Sequence, residues 1–372
     1  MLKDPPPKKS RSHTIKRNTL LRTIHRKGSS SRLQLARELR ISNSRVCDLI
    51  EEMIDQRLLQ EQSPPAERRG RRGVNIRMNG SFGHFVGVDM EAKRLRLVVT
   101  DFSGEVVYQT RKPLHPQQDR QGLIDEIFRF IDDALIDIRP KFANILGIGL
   151  AASGVMDTKR GLILHYDLIP QAVNLPLRDL LAEHTRLPCV MENNIRAMTL
   201  AEWTAGAARG LHTFACVAVR SGVGAGIVLD GRLLRGTHGL CGEIGYMVLP
   251  TSASAASWKS FQQTVSESAL GIDVESKSIE LPEPVLRRTG ELIGSQLASI
   301  AAVIDPQALI LAGGMLDPNG PIWPHVIRSF NQLALAELVD HVKLLPAQLG
   351  PFAAAIGAAH RCLYELFPAS VA

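Results

Sequence analysis

The chain has 372 residues, 45% of them hydrophobic and 22% charged, with a formal net charge of +7. That length suits two or three domains with cores of their own, and the composition excludes a chain that is mostly disordered. No apolar run approaches the roughly 18 residues of a membrane helix, the start Met1-Leu-Lys-Asp-Pro-Pro-Pro lacks the apolar centre of a signal peptide, and the five cysteines form neither a disulfide framework nor a thiol zinc motif, so a cytoplasmic location with no membrane partner is expected.

Charge is unevenly spread. Residues 1–80 hold 19 Lys and Arg against 8 Asp and Glu, a net of +11, and the remainder has a net of −4. A small cationic segment on a mildly acidic body suits a polyanion, because Lys and Arg that neutralise phosphates release condensed counterions. Residues 1–13, rich in Pro and Lys, read as a disordered leader. The spacing then predicts a helix over 15–26, with Ile15, Leu20, Leu21 and Ile24 close to one face, ended by Lys27-Gly28. Ser30 or Ser31 caps a second helix through Leu33, Leu35, Ala36 and Leu39. After the turn Arg40-Ile41-Ser42, either Ser42 or Asn43 caps a third, in which Val46, Leu49, Ile50, Met53 and Ile54 recur at helical spacing.

Helix, short turn, helix is a DNA-reading arrangement, and it places Asn43, Ser44, Arg45 and Asp48 at the exposed start of the third helix, facing the major groove. Two short strands, 58–61 and 74–78, flank a loop carrying Arg68, Arg69, Arg71 and Arg72. This reads as a wing whose guanidinium groups suit phosphates or a narrow minor groove. Residues 14–80 are therefore expected to form an α+β winged helix-turn-helix domain with a double-stranded DNA operator as partner. A helical bundle that docks a protein and carries a merely soluble basic loop is the bland alternative.

From Phe82 the composition changes. Strands are expected over 85–90, 94–101 and 104–109, turned at Phe102-Ser-Gly-Glu, and a second set of three over 214–219, 225–230 and 231–235, turned at Asp230-Gly231. Helices fill the intervals at 121–138, 177–186, 195–208, 284–303 and 353–366. Two copies of a strand-strand-strand-helix unit facing each other would hold a small ligand between them.

Five segments carry a resemblance: Gly147-Ile-Gly-Leu-Ala-Ala-Ser-Gly-Val-Met-Asp, Leu187-Pro-Cys-Val-Met-Glu-Asn-Asn, Ser221-Gly-Val-Gly-Ala-Gly-Ile-Val-Leu-Asp-Gly, Gly242-Glu-Ile-Gly and Ile310-Leu-Ala-Gly-Gly. Their order and approximate spacing resemble the ROK family of sugar-responsive repressors and sugar kinases, across nearly the whole chain. The leading winged helix-turn-helix, and Gly70-Arg-Arg in its wing, resemble the repressor branch. The resemblance implies an α/β fold: a duplicated actin/hexokinase-like (ribonuclease H-like) two-lobed domain over 81–372. Lobe one would take about 81–195 plus the C-terminal helix and lobe two about 196–350, assembled as a homodimer or homotetramer.

In the kinases that this resembles, the motif Glu-Asn-Asp supplies the catalytic base, whereas this chain reads Glu192-Asn193-Asn194, and an amide cannot serve as a general base near neutral pH. The kinase phosphate loop resembles Asp-x-Gly-Gly-Thr, against Asp89-Met-Glu-Ala-Lys here, which puts Glu91 where phosphate would lie. The family's zinc site uses a His after Gly-Glu-Ile-Gly and three cysteines beyond it. Tyr246 stands at that place and residues 251–260 contain no cysteine, so no metal and no cofactor is expected. The residues carried over for sugar binding are Asn193, Asn194 and Glu243, with Tyr246 and Gln262 at substituted positions, and Ser153 and Gly154 able to add contacts from the opposite lobe. One carboxylate among neutral amides suits a neutral sugar effector.

The reading is a DNA-binding transcriptional repressor controlled by a carbohydrate, with a catalytically inactive kinase-like body. Two others stay open: a sugar kinase with an added DNA-binding module, and a regulator with a vestigial pocket.

Overall fold

Three helices, Arg11–Lys27, Arg32–Leu39 and Asn43–Asp55, form an N-terminal head in a computed structural model that describes residues 11–62, 74–115, 117–142, 144–250, 258–273 and 279–368. The first helix starts earlier than its apolar spacing indicates. His13 Nε2 lies 3.1 Å from Glu52 of the third helix, so residues 11–13 belong to the folded head and not to a leader. Ser31 caps the second helix through a reciprocal box with Gln34, its hydroxyl accepting from Gln34 N while Gln34 Oε1 accepts from Ser31 N at 3.0 Å. Ser42 caps the third, accepting from Arg45 N at 3.4 Å. Leu59–Gln62 and Asn75–Met78 pair antiparallel as the wing's strands, and Ser29–Ser31, which periodicity did not indicate, adds a third strand to their sheet.

The body consists of two lobes with one topology. In the first, strands His84–Glu91, Arg94–Asp101, Val106–Pro113, Ile145–Ala152 and Cys189–Asn193 make a five-stranded sheet with the first strand at its centre. Numbered within the lobe, the spatial order is 3-2-1-4-5. Phe214–Val219, Val223–Leu229, Arg232–Leu233, Ala308–Ala312 and Lys343–Pro346 repeat that order in the second lobe, which is direct evidence of duplication. Two strands are shorter than the alternation of residues indicates. The third strand of the first lobe begins at Val106, not Gly104, because Asp101 Oδ1 accepts from Ser103 N and Glu105 N and holds the turn closed. The third strand of the second lobe keeps only two residues.

The lobes meet at two helices. Asn194–Ala205 packs on the sheet of the second lobe, and the C-terminal helix Ala353–Leu366 packs on that of the first. The fit requires small residues: a Cβ at Gly149 would lie 1.8 Å from the carbonyl oxygen of Ala358, and one at Gly357 would lie 1.7 Å from that of Ala197. The two helix backbones are therefore in direct contact at the point where the chain passes between lobes. Glu202, fully buried, secures this junction by accepting from Gln348 N at 3.0 Å, Leu349 N at 2.9 Å and Ala207 N at 2.8 Å.

The head is not a bead on a tether. Leu20, Leu21 and Ile24 of the first helix share one apolar core with Phe85, Phe102, Trp203 and the small residues of the C-terminal helix. His25 and His360 are buried there with ring centroids 4.7 Å apart. His25 Nδ1 is 3.1 Å from the Tyr364 hydroxyl, and His360 joins Thr204 Oγ1 at 2.8 Å to the Gly104 carbonyl at 3.3 Å.

Burial lowers the His360 pKa to about 4, against a weaker opposing pull from the Gly104 carbonyl and Asp101, and burial also depresses His25, aided by His360, Arg26 and Arg209. Unfolded histidine titrates near 6.5, so between that value and about 4 the unfolded chain binds the proton the native site refuses. Stability is fully present above pH 6.5 and falls as the pH drops toward 4, by about 2 to 3 kcal/mol from His360 alone. Urea unfolding from pH 7.5 to 4.5 should show this decline in the wild type, and His360→Gln should remove that share of it.

Candidate functional site

Parallel strands of the first lobe end at one edge, and their ends bring together Glu91, then Ser153 with Gly154, then Asn193 with Asn194. Ligand crevices in open α/β sheets form at such carboxyl ends. Facing them, the second lobe presents the hairpin turn Arg220-Ser221-Gly222, the turn Glu243–Tyr246 and the short helix Gln262–Val265. The space between is a cavity of about 360 Å³, within the usual range for a small-molecule site. Ser153, Gly154, Asn193, Asn194, Glu243, Tyr246 and Gln262, the seven residues drawn from the sequence, all line it.

Their local roles differ. Asn193 caps the helix Asn194–Ala205, its side-chain oxygen accepting from Ile195 N at 2.9 Å and Arg196 N at 3.2 Å, so that oxygen serves the backbone and is not open to a ligand. Asn194 donates its amide to Ser153 Oγ at 2.7 Å. Glu243 follows Gly242, whose φ of +95° and lack of a Cβ let the turn press against the Ala225 carbonyl. Burial raises the Glu243 carboxyl, and the Arg196 guanidinium partly opposes the shift. Tyr246 stands at the rim, 46% exposed, with its hydroxyl on Gln262. Tyr166, which no sequence motif marked, lies buried against the cavity beside Ser153, and its hydroxyl lacks a well-formed hydrogen bond.

At the inner end lies a cluster of buried charges. Arg96, fully buried, donates to Glu91 at 2.9 Å and to Asp89 at 3.2 Å. From the other lobe, Arg220 donates to Glu91 and Ser221 Oγ donates to Glu91 Oε1 at 3.0 Å. Burial alone would raise the Glu91 pKa, but Arg220 and Arg96, with the Ser221 hydroxyl, overcome it and hold the value at about 2. The turn of one lobe is thus tied to the strand end of the other through a carboxylate. A second buried carboxylate, Glu192, is held ionised by Arg196 at 2.8 Å and by Arg235, against its burial.

On the head, Asn43, Ser44 and Asp48 are exposed at the start of the third helix, and Arg45 is half-buried beside them, 4.0 Å from Asp48. Arg68, Arg69, Arg71 and Arg72 lie outside the described residues, as do residues 251–257. Among the described residues no three His, Cys, Asp or Glu side chains gather as a metal site would require, and no helix is long and apolar enough to cross a membrane.

The model of the ROK family matches residues 85–363. The DNA-binding transcriptional repressor Mlc of Escherichia coli is 23% identical over 367 residues, covering 91% of this chain and 90% of Mlc. The N-acetylglucosamine repressor of E. coli O157:H7 is 24% identical, covering 88% and 87%. A glucokinase of Halalkalibacterium halodurans is 25% identical and covers 73% of this chain and 93% of the enzyme. Among solved structures, a ROK family transcriptional regulator homologous to E. coli Mlc superposes with a TM-score of 0.78 at 21% identity, over 96% of this chain and 98% of its own.

Removing one partner of a buried charge cluster strands the other charge, at a cost of about 3 to 5 kcal/mol. Arg220→Ala should therefore lower the stability of the chain by that order in chemical denaturation at pH 7. An unchanged midpoint would mean that the tie between the lobes carries no energy.

Proposed function

The chain belongs to the ROK family, and from that premise we propose that it is a DNA-binding transcriptional repressor governed by a neutral sugar held in the cleft between its lobes. One observation supports this most: the cleft retains partners for sugar hydroxyls, in Asn194, Ser153 and Glu243, while its phosphate-loop positions are tied to each other by Glu91, Arg220 and Ser221. An ionised carboxylate lying where a phosphate would go repels that phosphate. Asn194, standing where the family's kinases carry the base, cannot accept the sugar's proton. The body is then a kinase scaffold used for binding alone.

The head reads DNA through Asn43, Ser44 and Arg45, with Asp48 able to accept from a base amine, and through the arginines of the wing, Arg68, Arg69, Arg71 and Arg72. Two heads in a homodimer or homotetramer would read a two-fold operator. The sugar acts by binding one arrangement of the lobes better than another, because a ligand shifts an equilibrium only by its differential affinity.

Selection of genomic fragments by the purified chain, with and without neutral hexoses, pentoses and N-acetylhexosamines, tests the reading. A palindromic site released by one sugar is the expected result, and Arg45→Ala should lower discrimination at one position of that site by about 1 to 3 kcal/mol. The same preparations should turn over no ATP in the presence of the sugar. Sugar-dependent ATP turnover by the wild type would instead identify a kinase.

A further inference from the structure

The first helix of the head stands across the junction of the two lobes, with a separate set of contacts on each. On the side of the first lobe it meets the C-terminal helix. Asn18 donates to the Pro368 carbonyl at 3.0 Å, Arg22 donates to the carbonyls of Phe367 at 3.0 Å and of Tyr364, and His25 packs on His360 and Tyr364. On the side of the second lobe, the Arg26 guanidinium lies 4.9 Å from the centre of the Trp203 ring, and Arg209 donates to the Lys27 carbonyl at 3.2 Å. Trp203 is itself anchored in the second lobe, beside Phe214 and through a bond from its Nε1 to the Leu211 carbonyl at 2.9 Å.

Trp203 also sits near one end of the helix whose other end is in the cleft. Asn194 lines the cavity, Ala197 touches Gly357 at the crossing, Trp203 meets Arg26 of the head, and Thr204 bonds His360 of the C-terminal helix. Ten of the helix's twelve residues are buried, against the strands Phe214–Val219 and Val223–Leu229 of the second lobe and against the C-terminal helix. From Ala197 to Trp203 is about 9 Å along the axis. A turn of one lobe against the other by about 10° at the crossing would shift Trp203 by roughly 1.5 Å, on this lever length. Arg26 already lies near the limit of about 6 Å for a cation over an aromatic ring, and a shift of that size is enough to lose the contact. The set on the C-terminal helix would stay with the first lobe. One lobe angle satisfies both sets of contacts and another satisfies only one.

We infer that the first helix is a strut across the hinge, so that filling the cleft reseats the head by breaking or making the contacts of Arg26 with Trp203 and of Arg209 with Lys27 while those to the C-terminal helix persist. This rests on the proposed function, since it describes how that cleft would regulate that head. The two cationic contacts are weak and exposed enough to switch, whereas the buried histidine pair is the fixed end. Their coupling should change operator affinity by about 5- to 30-fold, the lower part of the usual range for allosteric coupling.

The test uses the full chain, a selected operator duplex, and glucose, xylose and N-acetylglucosamine as probes, with operator affinity measured by anisotropy and sugar binding by calorimetry. In the wild type one probe should change operator affinity by that factor. In the Arg26→Ala, Arg209→Ala double variant, which replaces no residue that lines the cleft and no fully buried side chain, the probe should still bind, and the two operator affinities should agree within about 2-fold. Arg26→Lys, which keeps a cation over the Trp203 ring, should retain the response. A double variant that binds the probe and still shows the wild-type ratio overturns the strut. A wild type whose operator binding ignores every probe overturns the regulatory reading, and the strut with it.

Discussion

Two helix backbones touch where Gly357 meets the Ala197 carbonyl, and the body is arranged around that contact. Neither helix could approach so closely with a side chain at that position. The closeness brings the cleft, the lobe junction and the seat of the DNA-binding head onto one pair of helices. Asn194 opens the helix at the cavity, and Thr204 near its end meets His360 of its partner helix, which in turn meets His25 of the head. Because the head's apolar residues belong to the same core as this helix pair, a movement of one lobe cannot be absorbed by a flexible linker. Packed cores are bistable and not continuously deformable, and a small change of lobe angle is turned into a change of seating.

The cleft is governed by a second constraint, the treatment of its buried charges. Asp89, Glu91, Arg96 and Arg220 lie almost out of contact with water, and such groups are tolerable only when paired and hydrogen-bonded. Glu91 pairs with the guanidinium groups of both lobes at once, which builds an ionic network across the inner end of the cavity. Beyond that network the lining offers the neutral groups of Asn194, Ser153 and Tyr166 beside the carboxyl of Glu243, with Asp167 and its partner His165 also on the cavity wall. That distribution matches hydroxyl-rich, uncharged molecules better than anions.

Much of this was legible in the residues, and the exceptions have physical causes. The three helices of the head follow from Leu20, Ile24, Val46 and Leu49 at helical spacing and from Ser31 and Ser42 as caps, because these signals are local. The strand Ser29–Ser31 carries no alternation of its own and exists only because Asn75–Met78 offers it an edge. His13 lengthens the first helix through Glu52, a partner 39 positions away that no window along the chain contains. In the cleft, motif positions led to seven lining residues; the commitment of Asn193 to a helix cap is a local contact with Ile195 and Arg196 that the motif reading passed over, whereas the place of Tyr166 beside Ser153 and the grip of Arg220 on Glu91 depend on tertiary packing, the latter on the two lobes coming together. The docking of the head through Arg22, His25 and Arg26 was hidden because their partners, Tyr364, Phe367, His360 and Trp203, lie far away along the chain.

The account's central claim is that cleft and head are one mechanical unit. Amide hydrogen exchange on the full chain, with and without a sugar at saturating concentration, tests it most directly. The account predicts altered protection in two places at once, around Ser153 and Asn194 and again at the end of the first helix from Ile24 to Gly28. A change confined to the cleft, with the head's first helix exchanging as before, would contradict it.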